Sequence, residues 1–479
     1  MPQDKKLVTE ITPRDEDFGR WYTDVVLKSG LVDYSGVKGC VIMRPYATAL
    51  WENIRSLLDA RFKATGHENV MMPLFIPESL LNLEKSHIAG FSPEVAWITH
   101  GGGEKLAERL CVRPTSETLF CEHYKNIVHS YRDLPQLLNQ WCSVVRWEKS
   151  TRPFLRSREF WWQEGHTLHA TPEEANGEVM RMLDIYADFA ERDLAMPVVR
   201  GRKSESEKFA GAEATYSIEC MMHDGRALQS ATSHYLGDGF ARAFGIQFTD
   251  RDNLLKTPFQ TSWGMSTRII GGIIMTHGDD AGLVLPPNVA PVQCVVIPIA
   301  SHKEGVTEAA QALTAALNSS GVRAKIDLTD NTPGWKFAEH EMRGVPLRIE
   351  LGPRDLEKGE CVLVRRTTRE KSTIAIESAP ALLPGVLEDI QRELYDEARR
   401  NRDAHTSEAR GVQEIRDILS SKGGFIHAQW CGGPGCEQSL KDELGLTTRN
   451  MPFDLGRIAD KCVCCGKQAD IPALWALAY

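Results

Sequence analysis

The chain has 479 residues, with 56 Lys and Arg against 65 Asp and Glu and a net charge of −9. Its 42% hydrophobic and 25% charged residues exclude a disordered or fibrous chain, and at roughly 150 residues per domain the length predicts about three domains. The charge excludes a surface coated in basic residues, but not nucleic acid, which a local patch can bind. No apolar run approaches the roughly 20 residues that a membrane helix needs, and the start MPQDKKLVTE lacks a signal peptide's apolar stretch. Seven cysteines scattered singly through the first 361 residues fit reduced thiols in a cytoplasmic protein.

In chain order, Tyr46 to Thr65 carries Leu50, Ile54, Leu57 and Leu58 at helical spacing and stops at Gly66, after which ENVMMP reads as a strand. Gln140, Cys142, Val144, Arg146 and Glu148 alternate onto one face of a second strand. Phe160, Trp162, Glu164 and His166 do the same on a third, and the charged loop KSTRPFLRSR closes an antiparallel hairpin between them. Thr171-Pro172-Glu173-Glu174 supplies a capping threonine, a proline at the first helical position and a glutamate at the third, opening a long helix to about Leu194. After Pro286-Pro287 the order is strand (292–300), helix (307–318), strand (323–328), helix (335–343) and strand (346–351), the alternation of a compact α/β unit. A charged stretch near Arg399 to Glu408 precedes short elements and the remaining five cysteines. The expected division is 1–286, 287–400 and 401–479.

Two pairs of cysteines stand out in the last unit. Cys431-x4-Cys436 and Cys462-x2-Cys465 are separated by 25 residues, a spacing that predicts a tetrahedral Zn2+ site with four thiolates, structural because no coordination position is left open. Cys464 could replace Cys462, although the two-residue gap ending in Cys-Gly better suits a knuckle turn.

Arg146 and Glu148, facing Glu164 and His166, are expensive to bury unpaired. Alone, the tripeptide RWE would read as a salt-bridged outer sheet face. The accumulation of RPTSE, RWE, FLRSREFWWQEGH, KFAGA, TSHYLG and SWGMSTR, together with HIAGFSPEVAWITHGG, changes that reading. From about Asp15 to Tyr479 the chain resembles the prolyl-tRNA synthetases of the archaeal and eukaryotic type, a class II aminoacyl-tRNA synthetase family. The resemblance implies an α+β catalytic domain built on an antiparallel sheet, an α/β anticodon-binding domain and a small zinc-binding α+β C-terminal domain. It also implies a homodimer, with the Tyr46 helix and the following strand with Pro73 at the interface, and no membrane partner.

The implied chemistry is ATP-dependent formation of prolyl-adenylate from L-proline, followed by transfer to proline tRNA. Two anions must meet in the first step, and a planar guanidinium can bridge them. The resemblance assigns Arg146 to both proline and ATP, and Arg268 to the triphosphate. It assigns Glu148, Arg156, Ser157, Gln229, Thr232 and Ser266 to the nucleotide, with Gln229 near Mg2+, which the charged pyrophosphate leaving group calls for. Proline's secondary ammonium needs a carboxylate, for which Glu117 with Thr115 is the candidate. Its ring needs an apolar slot, for which Trp162, Phe209 and the ring edges of His166 and His234 are candidates, with Glu164 ordering the slot from behind. The segment GWKFAEHEMRGVPLRIELGPRDLEKGE resembles the anticodon-binding domain shared by several class II synthetases. Proline anticodons end in two guanines, whose edges suit arginine and carboxylate, so Arg348, Glu350 and Arg354 are the anticodon candidates.

Two other readings remain at this point. A synthetase for threonine or serine is disfavoured because the threonine enzymes use zinc within the catalytic site and no comparable Cys/His set precedes Pro286. A non-catalytic RNA-binding paralogue is disfavoured because Arg146, Arg268 and the TSE segment all persist.

Overall fold

The computed structural model describes residues 10–87 and 94–479, without the side chains of residues 84–87; the starting MPQDKKLVT and the IAGFSP portion of the first motif lie outside them. Among the described residues the framework is an eleven-stranded sheet. In spatial order it runs Thr406–Ala409, Phe425–Trp430, Ile471–Ala476, Thr447–Pro452, Val198–Arg202, Ala214–Met221, Ala227–Gly237, Phe259–Ser266, Glu159–His169, Gln136–Val145 and Glu68–Asn69. Only the outermost pair at each edge is parallel.

The helix Pro45–Ala64 begins on its proline and buries Leu50, Trp51, Ile54, Leu58 and Phe62 along one face, as the spacing predicts. Of ENVMMP only Glu68–Asn69 pairs, because the chain beyond it leaves the sheet and exposes Met71. The hairpin forms in the register that alternation demands: Gln140 faces Glu164, Cys142 faces Trp162 and Val144 faces Phe160. Strand pairing stops at Val145, so Arg146 and Glu148 lie just past the strand end instead of within it. There they can turn inward without breaking a ladder.

The helix Pro172–Arg192 is capped by Thr171, whose side chain accepts the Glu174 N–H at 3.2 Å. It crosses the central strands, burying Val179, Met182, Leu183 and Tyr186, and the Tyr186 hydroxyl donates to Gln163 at 2.6 Å. Gly165 faces Trp263 in the neighbouring strand, and a Cβ there would lie 2.1 Å from the indole. Glycine is therefore what lets that buried indole lie flat against the sheet.

A second sheet, in the order Ala324–Ile326, Cys294–Pro298, Leu347–Leu351, Glu360–Arg365 and Lys371–Ala375, forms the α/β unit, parallel through its first three strands. Arg366 ties it to the body that carries the large sheet by donating to both carboxylate oxygens of Asp279, at 2.8 and 2.6 Å.

The C-terminal unit extends the large sheet. Met451 pairs with Arg202 and Pro452 with Gly201. Beside this seam the buried Arg449 donates twice to Glu219, at 3.1 and 2.9 Å, and Lys203 lies 3.6 Å from the same carboxylate. The apolar tail ALWALAY is docked: Ile471–Ala476 is a sheet strand, Ala227 donates to the Leu477 carbonyl at 2.8 Å, and the Tyr479 hydroxyl donates to Asp224.

Among the described residues, the histidines buried in the body that carries the large sheet include His67, His166, His169, His234 and His277. Burial pulls His169 and His277 down to about 4 and His234 to about 3. These three are thus neutral when folded, whereas the unfolded chain takes up their protons below pH ~6.5. Their stabilisation is complete above that pH and is lost as pH falls towards the folded values. Each histidine removes up to about 1.4 kcal/mol per pH unit within the window. The melting temperature is expected to fall steeply between pH 6.5 and 5, and a flat profile across that range would contradict neutral burial.

Candidate active site

The middle of the large sheet floors a cavity of about 310 Å³, lined by residues of the hairpin, its loop and the Ala227–Gly237 and Phe259–Ser266 strands. All fifteen candidates from the catalytic region converge on it: Thr115, Glu117, Arg146, Glu148, Arg156, Ser157, Trp162, Glu164, His166, Phe209, Gln229, Thr232, His234, Ser266 and Arg268. Sequence reasoning missed Glu207, Thr215 and Ser262 as lining residues. Glu207 stood two residues before Phe209 and Ser262 opened the SWGMSTR motif, whereas Thr215 carried no local signal.

One part of the cavity is a rigid polar and aromatic cage. Glu164 accepts hydrogen bonds from Ser116 at 2.5 Å and Gln140 at 2.7 Å through one oxygen, and its other oxygen lies 3.0 Å from His166 Nε2. Burial alone would raise this carboxyl, but the His166, Ser116 and Gln140 contacts bring it below its ordinary value, so it is held as an anion. Phe120 stacks on His166 at 4.2 Å. Across the cavity Thr215 Oγ1 lies 2.9 Å from His234 Nδ1, and Phe209 packs on His234 at 4.8 Å. Thr115 donates to Glu117 at 2.5 Å. Aromatic walls beside a second carboxylate make a slot for a small apolar ring that carries a cationic nitrogen.

The other part is cationic. Arg268 opens the helix Arg268–His277, its Nε donating to the Leu155 carbonyl at 3.0 Å. Burial and then the nearby positive charges of Arg146 and Arg156 pull it down to about 10. Such crowding of guanidinium groups is relieved by a polyanion. Arg146 stands between the two parts. Its Nε donates to the Pro114 carbonyl at 3.1 Å, and its guanidinium lies 5.3 Å from the Trp162 ring centre and 5.5 Å from that of Phe160. Burial lowers it, while the charges of Glu117, Glu164 and Glu148 oppose the shift. No carboxylate pairs within 4.0 Å of Arg146 or Arg268 among the described residues. Their outer nitrogens can therefore meet a ligand.

In the C-terminal unit the Sγ atoms of Cys431, Cys436, Cys462 and Cys465 lie within 4.8 Å of one another. A tetrahedron with metal–sulfur bonds of about 2.3 Å has sulfur–sulfur edges of about 3.8 Å. Cys431–Cys436 at 3.7 Å and Cys431–Cys465 at 3.8 Å match those edges. Cys464 is outside the group. Burial raises Cys431 and Cys436, whereas the Lys467 N–H lowers Cys465 to about 7. Four thiols this close suit Zn2+ as the charge that lets all of them ionise.

On the α/β unit, Arg348 and Glu350 share one strand face, bonded at 2.9 Å, with Lys371 3.1 Å from both Glu350 oxygens and Phe337 under Arg348 at 4.2 Å. Arg354 is exposed in the following short helix and bonds to neither. Lys371 and Phe337 were not among the sequence candidates, because they reach this face from different elements.

Three family models match the chain: the tRNA synthetase class II core domain (G, H, P, S and T) over residues 99–277, the anticodon binding domain over 293–385, and the prolyl-tRNA synthetase C-terminal domain over 412–479. Proline–tRNA ligases of Lachnoclostridium phytofermentans and Ruminiclostridium cellulolyticum are 61% and 59% identical to it, each aligned over 100% of both chains. A crystal structure of the Cryptosporidium parvum prolyl-tRNA synthetase, complexed with halofuginone and AMPPNP, superposes with a TM-score of 0.94. That match is at 40% identity and covers 99% of this chain and 100% of the other.

Proposed function

The chain belongs to the prolyl-tRNA synthetase family, a class II family of proline–tRNA ligases that use ATP, and we propose the following division of labour within its cavity. Glu117, with Thr115, receives the proline ammonium, while Trp162, Phe209, His166 and His234 wall the ring and Glu164 locks His166 in place. Arg146 holds the proline carboxylate and the ATP α-phosphate together, offsetting charge on the phosphorus as the carboxylate oxygen attacks and pyrophosphate leaves. Arg268, Arg156, Glu148, Ser157, Thr232 and Ser266 hold the nucleotide. Glu148 and Gln229 offer oxygen donors there that fit Mg2+, which neutralises the leaving pyrophosphate when bound. The observation that carries this reading is that one cavity brings Arg146 together with Glu117, Glu164 and the aromatic walls and with Arg268 and Arg156. Labelled proline should be charged onto a proline tRNA transcript with ATP. Failure to charge it under conditions that preserve the fold would contradict the reading.

The finer assignments follow from the same surroundings. The units 1–286, 287–400 and 401–479 act as catalytic, anticodon-binding and zinc-bearing parts. Arg348 and Glu350, with Lys371 and Phe337, form the anticodon face, and Arg354 flanks it. A homodimer is supported by the apolar residues exposed after the Pro45–Ala64 helix, with Met71 at 92% and Leu74 and Phe75 at 41% and 45% exposure. Twelve free thiols suit the reducing cytoplasm, and no described helix is long and apolar enough to cross a membrane. The archaeal and eukaryotic type is supported by full-length superposition on the Cryptosporidium parvum enzyme.

Between Arg146 and Arg268 every element belongs to the hairpin, the long helix, the sheet or short pieces packed on them. That leaves no further domain for hydrolysing wrong products. Alanine enters a proline slot short by about two methylene-sized groups, each worth roughly 1–3 kcal/mol of discrimination. Alanyl-adenylate is therefore expected at a detectable rate, and purified enzyme should leave mischarged Ala-tRNA for proline intact. Deacylation well above the spontaneous rate would reveal a hydrolytic site in this chain.

A further inference from the structure

The segment that follows the Val198–Arg202 strand lies between the cavity and the helix Pro434–Leu444. Two of its residues, Glu207 and Phe209, line the cavity, and Phe209 is the ring packed on His234. The outer side of the segment is held by the C-terminal unit. Ser204 Oγ donates to Glu437 Oε1 at 2.7 Å, Ser206 Oγ donates to Glu437 Oε2, and Thr448 Oγ1 also donates to Oε1. One helical turn on, Lys441 Nζ is 3.4 Å from Glu207. Lys203 Nζ donates to the Arg449 carbonyl at 2.7 Å.

Glu437 is 4% exposed and is satisfied by three hydroxyls with no cation paired to it among the described residues. An apolar side chain would pack there without a desolvation cost, whereas a fully hydrogen-bonded carboxylate fixes the geometry of its donors. Both oxygens are committed, and two of the three donors belong to the segment that carries Phe209.

We propose that Glu437, assisted by Lys441, is a positioning residue for amino-acid binding: it anchors residues 203–209 from outside so that Phe209 stays against His234 as a wall of the proline slot. The C-terminal unit thereby sets affinity for the amino acid without touching it. The inference rests on the proline reading of that slot. It predicts an effect confined to the amino-acid side, because the anchored segment includes none of the residues assigned to the nucleotide.

The test uses full-length Glu437→Ala, Glu437→Gln and Ser206→Ala, with KM for proline and for ATP measured in pyrophosphate exchange. Glu437→Ala should raise the proline KM about tenfold and leave the ATP KM within twofold. Glu437→Gln, which keeps one acceptor oxygen, should recover part of the loss. Ser206→Ala removes one of the same bonds from the catalytic side, away from Cys436, and should raise the proline KM severalfold. Amide hydrogen exchange across residues 203–209 should quicken in Glu437→Ala. A proline KM within twofold of wild type in both alanine variants, an equal rise in both KM values, or unchanged amide exchange would overturn the proposal. Wild-type protein without proline-dependent exchange would instead overturn the proline reading, and the amide exchange would still decide the anchoring.

Discussion

Replacing Arg146 by alanine is expected to reduce proline-dependent pyrophosphate exchange by at least about a thousandfold, roughly 4 kcal/mol of transition-state stabilisation. Removing one fixed donor from a developing oxyanion typically costs 10²–10³ in rate. Arg146 is asked for more, since it offers a planar fork to two anions that otherwise repel one another. Arg146→Lys restores a point charge without the fork and should recover only a small part of the loss. The fold should survive both changes, because among the described residues this side chain adds to the scaffold one hydrogen bond to the Pro114 carbonyl and its packing over Trp162 and Phe160. Binding of tRNA through the α/β unit should likewise persist. Near-normal exchange by a folded Arg146→Ala variant would remove this residue from the chemistry.

The second large effect belongs to the four cysteines. Cys436→Ser replaces a thiolate that can complete a tetrahedral site with a hydroxyl that ligates poorly, and structural zinc sites supply about 10 kcal/mol or more of apparent folding energy. Zinc content should fall well below one ion per chain, and the melting temperature should drop by roughly 10 °C, for a loss of several kcal/mol in a chain of this size. Activity should decline afterwards, as a consequence. The route is visible in the structure: the Cys436 helix contacts the segment 203–209 through Glu437, and the Thr447–Pro452 strand pairs with the catalytic sheet. Freshly purified wild-type protein without zinc, or a serine variant that retains it in full, would contradict the assignment.

What could be read from the sequence was local or periodic. Alternation fixed which faces of the hairpin look into the cavity, and the Thr171-Pro172 start placed the long helix to within a residue or two. The two-residue gap favoured Cys462 over Cys464, and the sulfur geometry agrees. What could not be read were pairings between segments hundreds of residues apart. The seam of Met451 and Pro452 against Arg202 and Gly201 leaves no periodic trace in either strand, so the C-terminal unit could not be seen as an extension of the catalytic sheet. Glu437 likewise looked like any helix-surface glutamate until Ser204 and Ser206 were brought against it. Lys371 and Phe337 joined Arg348 and Glu350 only through the tertiary fold.

The central claim is that one cavity joins a slot for proline to a cationic cradle for ATP through Arg146. Amino-acid-dependent exchange of labelled pyrophosphate into ATP, run with purified wild-type protein and each of the twenty amino acids, tests it most directly. The account predicts strong exchange with proline, weak exchange with alanine and background with the rest. Exchange driven by another amino acid, or by none, would contradict it.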